Sequence, residues 1–206
     1  MSSQKSTAAT PREPKRQRGH LRVAAILEAG AALFAEKGYD GATMTEIAAR
    51  AETAIGSLYR FFPTKEVLAQ ALLARYGEKI TAGLDSIAAR AAGLSAAVLA
   101  DALVDLMRDL QAERAAAIVL LDAGAAMADT RTRLRTALRR RLAAILAQAA
   151  PRPLPAVRTE AAVALLLHLL KALPALAQEP PEVHAEAVGE LRAAISLYLG
   201  RVIDGL

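Results

Sequence analysis

The 206-residue sequence contains no cysteine and no tryptophan, and aromatic residues make up only 3% of it. Without cysteine the chain can form neither a disulfide framework nor a thiolate metal site. No stretch alternates β-branched and polar residues between turn signals, so nothing predicts a sheet. Hydrophobic residues still make up 54%, and the excess is alanine and leucine, which are strong helix formers. We therefore predict an all-α protein.

The sequence carries no apolar stretch typical of a secretory signal at its N-terminus, where residues 1–19 are polar. The most apolar stretch, residues 161–177, is interrupted by His168, Lys171 and Pro174. A membrane span needs about 20 nearly uninterrupted apolar residues. We expect a buried or interface helix here, no membrane association, and a cytoplasmic location.

Positive charge is concentrated toward the N-terminus. Residues 1–76 hold 11 Lys or Arg against 7 Asp or Glu, whereas the remainder holds 15 against 14. Such a bias is typical of a nucleic-acid footprint. Residues 1–19 form a basic, Ser- and Pro-containing segment that we expect to be a disordered arm. The arm either solubilises the chain or adds contacts to DNA phosphates or the minor groove.

Four helices are predicted in the first 80 residues. Apolar residues at spacings of three and four begin at Leu21, and Gly38 is the expected C-cap of this first helix. Thr43 followed by Glu46 predicts a capping box at the start of the second. A short third helix ends before Pro63, which separates it from the fourth. The arrangement predicts a compact three-helix bundle that contains a helix-turn-helix.

The remaining residues predict about five further helices, with breaks near residues 93–95, 112–114, 128–130, 151–155 and 179–182. The whole chain therefore has about nine helices. We divide it into the arm (1–19), a DNA-binding domain (20–80) and a C-terminal helical domain for ligand binding and dimerisation (81–206).

The order and spacing of residues 38–68, with Leu33 and Phe34 ahead of them, carry a specific resemblance. The segment GYDGATMTEIAARAETAIGSLYRFFPTKEVL resembles the DNA-binding domain of TetR-family transcriptional regulators. The resemblance implies that Thr43, Tyr59 and Lys65 bind the DNA backbone and that residues 55–57 face the bases. Our predicted DNA-binding residues are Thr43, Thr45, Ile55, Gly56, Ser57, Tyr59, Arg60 and Lys65. Outside the motif, Tyr59 would be a packed aromatic, and Arg60 is divided between phosphate contact and plain surface.

Two positions depart from the family pattern. Glu52 stands where the family usually has glycine in the turn, and Ala54 stands where it has serine or threonine at the start of the third helix. Thr53 is the candidate that would take over the capping role. Glu52 also brings a negative charge near the DNA.

The resemblance implies a dimer whose C-terminal helices hold a pocket for a small-molecule effector. Candidate ligand residues in or near residues 97–173 are Met107, Asp122, Met127 and His168; Asp122 and His168 are alternatively core or interface polar groups. Apolar seams on the last helices predict a dimer interface or completion of the monomer core. The predicted interface residues are Leu166, Leu170, Leu191, Ile195, Tyr198 and Val202.

No catalytic motif, metal site or cofactor is predicted, and the three histidines have no sequence-level partners. An acidic stripe at residues 101–113 and an arginine run at residues 131–141 are expected to be surface, with metal binding and DNA contact as the respective alternatives. We expect a dimeric repressor that binds a palindromic double-stranded operator and is released by an unknown effector. The alternative is a helix-turn-helix scaffold whose C-terminal domain binds a protein.

Overall fold

The computed structural model describes residues 17–123 and 127–203, and within these ranges the regular elements are helices, with no strand. Ten helices follow one another in this described part of the chain, and all but the four-residue α9 are longer than a single turn. They are α1 (Gln17–Gly41), α2 (Met44–Arg50), α3 (Ile55–Phe61), α4 (Lys65–Arg90), α5 (Ala96–Asp109), α6 (Gln111–Asp122), α7 (Ala128–Ala149), α8 (Ala156–Lys171), α9 (Leu173–Leu176) and α10 (Pro181–Ile203). The all-α prediction is confirmed.

The N-terminal arm was predicted to extend to residue 19, but α1 already begins at Gln17. Arg18 is exposed and arginine is a good helix former, so the helix can begin here without apolar residues. Residues 17–19 therefore belong to the helix. The rest of the predicted arm, residues 1–16, lies outside the described residues.

Two compact units can be distinguished. Among the described residues, the first comprises 17–76 together with 112–123 and 127–128, and the second comprises 77–111 together with 129–203. Helix α4 contributes to both units, while α6 belongs almost wholly to the first. The functional division at residue 80 stays a prediction.

The core of the first unit is built from the apolar faces predicted for its helices. Ile26 and Phe34 of α1, Ile47 of α2, Leu58 of α3 and Leu68 of α4 are all completely buried. Burying each of these side chains contributes about 1.5–3 kcal/mol. Helices α1 and α4 approach closely, because a Cβ atom added at Gly30 would lie 3.4 Å from methyl carbons of Leu68 and Leu72. The short helices α2 and α3 contribute Ile47 and Leu58 to the same core as α1 and α4.

Gly38 interrupts α1 as the sequence predicts. Its φ of 78° and ψ of 172° are not helical, so the residues up to Gly41 form a separate final segment. This φ lies in the region that favours glycine, since a side chain would be strained there. The chain thereby changes direction just before α2.

The first unit also contains a buried charge. Arg114 of α6 is only 7% exposed and hydrogen-bonds the hydroxyl of Tyr76 on α4. Burial raises the pKa of Tyr76 and lowers that of Arg114, because desolvation disfavours the charged form of each group. Arg75 and Glu113 form a neighbouring ion pair, with Nη2 3.9 Å from Oε1. Polar groups thus join α4 to α6.

In the second unit, α5 packs against α10. Leu99 and Leu103 of α5 and Ile195 and Leu199 of α10 are buried. Arg192 of α10 donates to Asp101 at 2.8 Å and to Asp105. Two members of the predicted acidic stripe therefore bind a cation of their own chain.

One apolar segment, Ala156–Leu176, is long and apolar enough to cross a membrane by length and composition, among the residues that the structure describes. It consists of α8 and α9, with Pro174 in the first turn of α9. Arg158, Glu160 and Lys171 interrupt its apolar character. That it is a buried or interface helix remains a prediction.

Candidate nucleic-acid interface

The second helix begins with the predicted capping box. The Oγ1 of Thr43 accepts a hydrogen bond from the backbone N–H of Glu46 at 3.2 Å, and Oε2 of Glu46 accepts from the backbone N–H of Thr43 at 3.0 Å. Each side chain satisfies a backbone donor that the helix itself leaves unpaired. The hydroxyl of Thr43 also donates to Oε2 of Glu46 at 2.8 Å. The capping prediction is confirmed.

Two ion pairs connect α2 to α1. Lys37 donates to Oε1 of Glu46 at 2.7 Å, and the guanidinium of Arg50 makes two bonds with the carboxylate of Glu36, at 2.7 and 2.9 Å. The bond from Lys37, with those from Thr43, lowers the pKa of Glu46 to about 2, and the bond from Arg50 lowers the pKa of Glu36. All four side chains are substantially exposed, so these ion pairs link α2 to α1 at the surface and add little to stability.

The turn after α2 has the geometry of a Schellman motif. The N–H of Glu52 bonds the carbonyl of Ala49 at 3.1 Å, and the N–H of Thr53 bonds the carbonyl of Ala48 at 3.0 Å. Such a motif needs a left-handed residue between the two helices, and Glu52 supplies it with a φ of 47°. It is the one non-glycine residue with positive φ in the described part of the chain. The departure from glycine therefore keeps the turn but strains it.

The start of α3 has no side-chain cap. Its N-cap is Ala54, and no side chain accepts a hydrogen bond from the first turn. The expectation that Thr53 would replace the missing serine or threonine is wrong, because Ala54 occupies the N-cap position and alanine has no side-chain acceptor. The carbonyl of Ala54 accepts from Ser57 at 2.8 Å and from Leu58 at 3.2 Å.

Helix α3 has one buried face and one exposed face. Leu58 and Phe61 are buried, whereas Ile55 is 40% exposed and Tyr59 is 47% exposed. Gly56 and Arg60 are exposed and Ser57 is partly so. The structure thus brings all the predicted contact residues of α3 to the outside of the unit. The exposure of Tyr59 disfavours the alternative that it is a packed core aromatic.

Arg60 lies over the ring of Phe61, with its guanidinium carbon 5.1 Å from the ring centroid. This cation–π contact holds the Arg60 side chain against the Phe61 ring, and Arg60 remains exposed to solvent. Thr43 and Thr45 are exposed at the start of α2. All three side chains are exposed, and their roles toward DNA stay predictions.

Lys65 has a different environment from the one expected of a phosphate ligand. Its Nζ donates to the carbonyls of Tyr39 at 2.7 Å, Ala42 at 3.1 Å and Asp40 at 3.3 Å. The same ammonium lies 4.6 Å from the centroid of the Tyr39 ring, which stacks on Phe34. An ammonium has three donors, and here all three serve the chain. The predicted phosphate contact would require Lys65 to share or leave these carbonyls.

Arg22 is a residue that our sequence analysis missed. It lies on α1, and its Nη1 donates to Oγ of Ser57 on α3 at 3.2 Å. The two residues are 35 positions apart, so no local spacing could have indicated their contact. A cation is thereby placed beside the predicted base-contacting residues.

The candidate effector residues lie in both units. Met107 and Met127 are buried, whereas Asp122 and His168 are exposed. The Nδ1 atom of His168 is 2.7 Å from the carbonyl of Ala164, one turn earlier in α8. The two exposed groups are therefore surface polar residues in this chain, and their predicted role toward a ligand stays untested.

Most of the predicted interface residues are buried within the chain itself. Leu166 and Leu170 of α8 and Ile195 and Val202 of α10 are at most 4% exposed, while Leu191 and Tyr198 are half-buried. Buried side chains have no surface to offer a partner. The large apolar side chains exposed on the same two helices are Val157, Leu165, Val183 and Leu197.

Comparison with known proteins agrees with this geometry. The sequence model of the bacterial regulatory proteins of the tetR family matches residues 26–72, which include all of α2 and α3. The HTH-type transcriptional repressor KstR of Mycolicibacterium smegmatis is 41% identical over 63 residues, 31% of this chain and 31% of that protein. The match thus spans about a third of the length of this relative.

Solved structures resemble the chain over most of its length. GusR of Salmonella enterica superposes with a TM-score of 0.68 at 21% identity, covering 93% of this chain and all of that one. The transcriptional regulator FadR of Bacillus subtilis, in complex with stearoyl-CoA, gives 0.59 at 17% identity, covering 89% of this chain and 98% of that one. At these identities the likeness shows a common fold.

Proposed function

We propose that this chain, whose N-terminal domain is that of the tetR family, is a cytoplasmic transcriptional repressor. It binds a palindromic double-stranded operator as a homodimer through α2 and α3, and a small-molecule effector bound by the C-terminal helices releases it. The proposal assigns no catalysis and no cofactor to the chain.

The observation that carries the proposal is the exposed face of α3. A helix-turn-helix reads DNA by placing its second helix in the major groove, with small side chains near base edges. The exposed residues at the start of α3 are Ile55, Gly56 and partly Ser57, while Leu58 and Phe61 anchor the opposite face in the core. The core therefore fixes one face of α3, and the opposite face exposes small and medium side chains at the start of the helix.

Charge supports the same surface. Arg18 and Arg22 of α1 and Arg60 of α3 are exposed within the first unit. Neutralised phosphates supply most of the affinity of such proteins and make it depend on salt. Glu52 opposes this field, and the affinity we expect is correspondingly reduced.

Specificity would come from few groups. Ser57 supplies the one hydroxyl at the start of α3, and Ile55 supplies an apolar contact suited to a thymine methyl. DNA shape would contribute the rest. Tyr59 and Thr43 are proposed to bind the phosphate backbone of the DNA.

The homodimer is proposed on the exposed apolar side chains of α8 and α10. Leu165 is 42% exposed and Leu197 is 77% exposed, although both helices also supply core residues. Exposed leucines of this kind on neighbouring helices favour pairing with a second copy. A different protein partner is the alternative occupant of this surface.

The proposal is tested by selecting binding sites from random double-stranded DNA with the purified full chain. We expect an inverted repeat whose half-sites are separated by about 10 base pairs or more. Native mass spectrometry of the same sample measures the oligomeric state and any co-purified small molecule. Absence of an inverted repeat among the selected sites would overturn the proposed operator binding.

A further inference from the structure

The hydrogen bond from Arg22 to Ser57 joins two elements with different tasks. Helix α1 belongs to the framework of the unit, whereas α3 carries the residues that are proposed to face the bases. Ser57 is the one member of residues 55–57 with a polar side chain. Any side-chain hydrogen bond from the start of α3 to a base edge would therefore use its hydroxyl.

A free serine hydroxyl rotates and can act as donor or acceptor, so it discriminates poorly between bases. The Arg22 guanidinium has no acceptor and can only donate. In the bond of 3.2 Å the Ser57 oxygen must therefore accept, which leaves its hydrogen available to donate elsewhere. The neighbouring positive charge also favours electron-rich atoms at this position.

We propose that Arg22 is a positioning residue for sequence recognition: it orients the Ser57 hydroxyl as a donor toward a base acceptor. Guanine presents two such acceptors in the major groove, N7 and O6, whereas cytosine presents a donor there. Thymine presents one acceptor, O4, and adenine presents one acceptor, N7, beside a donor, so the base that faces Ser57 is expected to be guanine, which has two acceptors and no donor. This inference rests on the proposed function.

A plain phosphate contact would give Arg22 a different effect. Loss of a phosphate ligand weakens binding to all sequences alike and lowers the slope of log K against log salt by about one. Loss of a positioning residue instead changes which base is preferred at one position of each half-site. The two roles are therefore separated by specificity rather than by affinity.

The test is a binding-site selection with the full chain. It is followed by titrations on the selected site and on a site in which the base pair proposed to face Ser57 is changed in each half-site. Four proteins are compared with the wild type: Arg22→Ala, Ser57→Ala, the double variant and Arg18→Ala. Arg18 is the matched control, because it is exposed on α1 one turn before Arg22 and makes no hydrogen bond to Ser57. Thermal unfolding of each variant confirms that it is folded.

We expect Arg22→Ala to reduce the preference at that position by about tenfold, within the range of a specific base contact. Ser57→Ala should cause the same loss, and the double variant should add nothing further. Arg18→Ala should keep the preference, whatever its effect on overall affinity.

Retention of the wild-type preference by Arg22→Ala would overturn the inference and leave the proposed function standing. Independent, additive effects of the two single variants would overturn it as well. A wild-type chain that selects no sequence would instead overturn the proposed function, and this inference with it.

Discussion

The Nζ atom of Lys65 lies 2.7 Å from the carbonyl oxygen of Tyr39 and 4.6 Å from the centroid of the same residue's ring. A residue at the start of α4 thereby holds the end of α1, including the segment that leads into α2. The ammonium joins the last carbonyls of one helix to the first turn of another. Helix C-termini carry partial negative charge, so a cation is well placed there.

Replacing Lys65 with alanine should lower the free energy of unfolding by about 2 kcal/mol, because hydrogen bonds to a charged group contribute roughly 1.5–3 kcal/mol. Chemical denaturation measures the change. Lys171→Ala, which removes an exposed lysine of α8, is the control and should change stability little. An unaltered unfolding free energy for Lys65→Ala would show that the carbonyl contacts contribute nothing.

The same variant also tests the phosphate contact that the family resemblance implies. If Lys65 binds a phosphate when DNA is present, the slope of log K against log salt falls by about one. If it stays with its three carbonyls, the slope is unchanged.

Replacing Glu52 with glycine should stabilise the chain by about 1 kcal/mol. Its φ of 47° is left-handed, a conformation that costs a residue with a Cβ atom roughly 1–2 kcal/mol and glycine very little. Glu52→Gln is the matched control, since it keeps the Cβ atom and removes the charge. We expect only the glycine variant to gain in thermal unfolding, and both variants to bind DNA more tightly. Equal stability of the two variants would contradict the strain.

Acid should destabilise the first unit partly through Glu46. Its pKa is about 2 in the folded chain, below the ordinary value of 4.5, chiefly because Lys37 and Thr43 donate to it. A lowered pKa means that its contribution to stability is present above about pH 4.5 and is lost as the pH falls toward 2.

The comparison is with Glu46→Gln, which can keep the capping box but has no charge to titrate. We expect its unfolding free energy to fall less steeply than that of the wild type between pH 4.5 and 2. Glu28→Gln, an exposed glutamate of α1, controls for loss of a carboxylate in general. Parallel curves for the wild type and Glu46→Gln would refute the assignment.

The proposed dimer predicts opposite outcomes for two neighbouring residues of α10. Leu197 is 77% exposed and Ile195 is fully buried. Leu197→Glu should leave a folded chain that is monomeric in sedimentation experiments, whereas Ile195→Glu should unfold it, because a buried unpaired charge costs several kcal/mol. A Leu197→Glu chain that remains a dimer would place the interface elsewhere.

Local features of this molecule were predictable from the sequence. The Thr43–Glu46 capping box, the break at Gly38 and the helix boundaries near residues 93–95 and 151–155 all involve residues a few positions apart. These features depend on backbone hydrogen bonds and allowed φ values, which are determined by residues that are close in the sequence. The resemblance of residues 38–68 to TetR-family regulators was likewise recognisable, because its motif is a continuous run.

The contacts of the apolar stripes of α8 and α10 could not be predicted from residue spacing. A spacing of three and four identifies the apolar stripe of a helix, but it does not tell whether the stripe meets its own chain or a second copy. The structure buries Leu166, Leu170, Ile195 and Val202, so these four of the six residues predicted for a partner contribute to the chain's own core. Leu191 and Tyr198 are only half-buried, and their place in an interface stays a prediction.

The helix-turn-helix likewise has features that the local sequence predicts and contacts that only the tertiary structure shows. Its helices, its capping and the exposed positions of α3 follow from residues that are close together in the chain. The bond from Arg22 to Ser57 and the three carbonyls around Lys65 join residues 23–35 positions apart. Only the packing of α1 against α3 and α4 brings those groups within hydrogen-bond distance, because a side chain contacts what the fold places beside it.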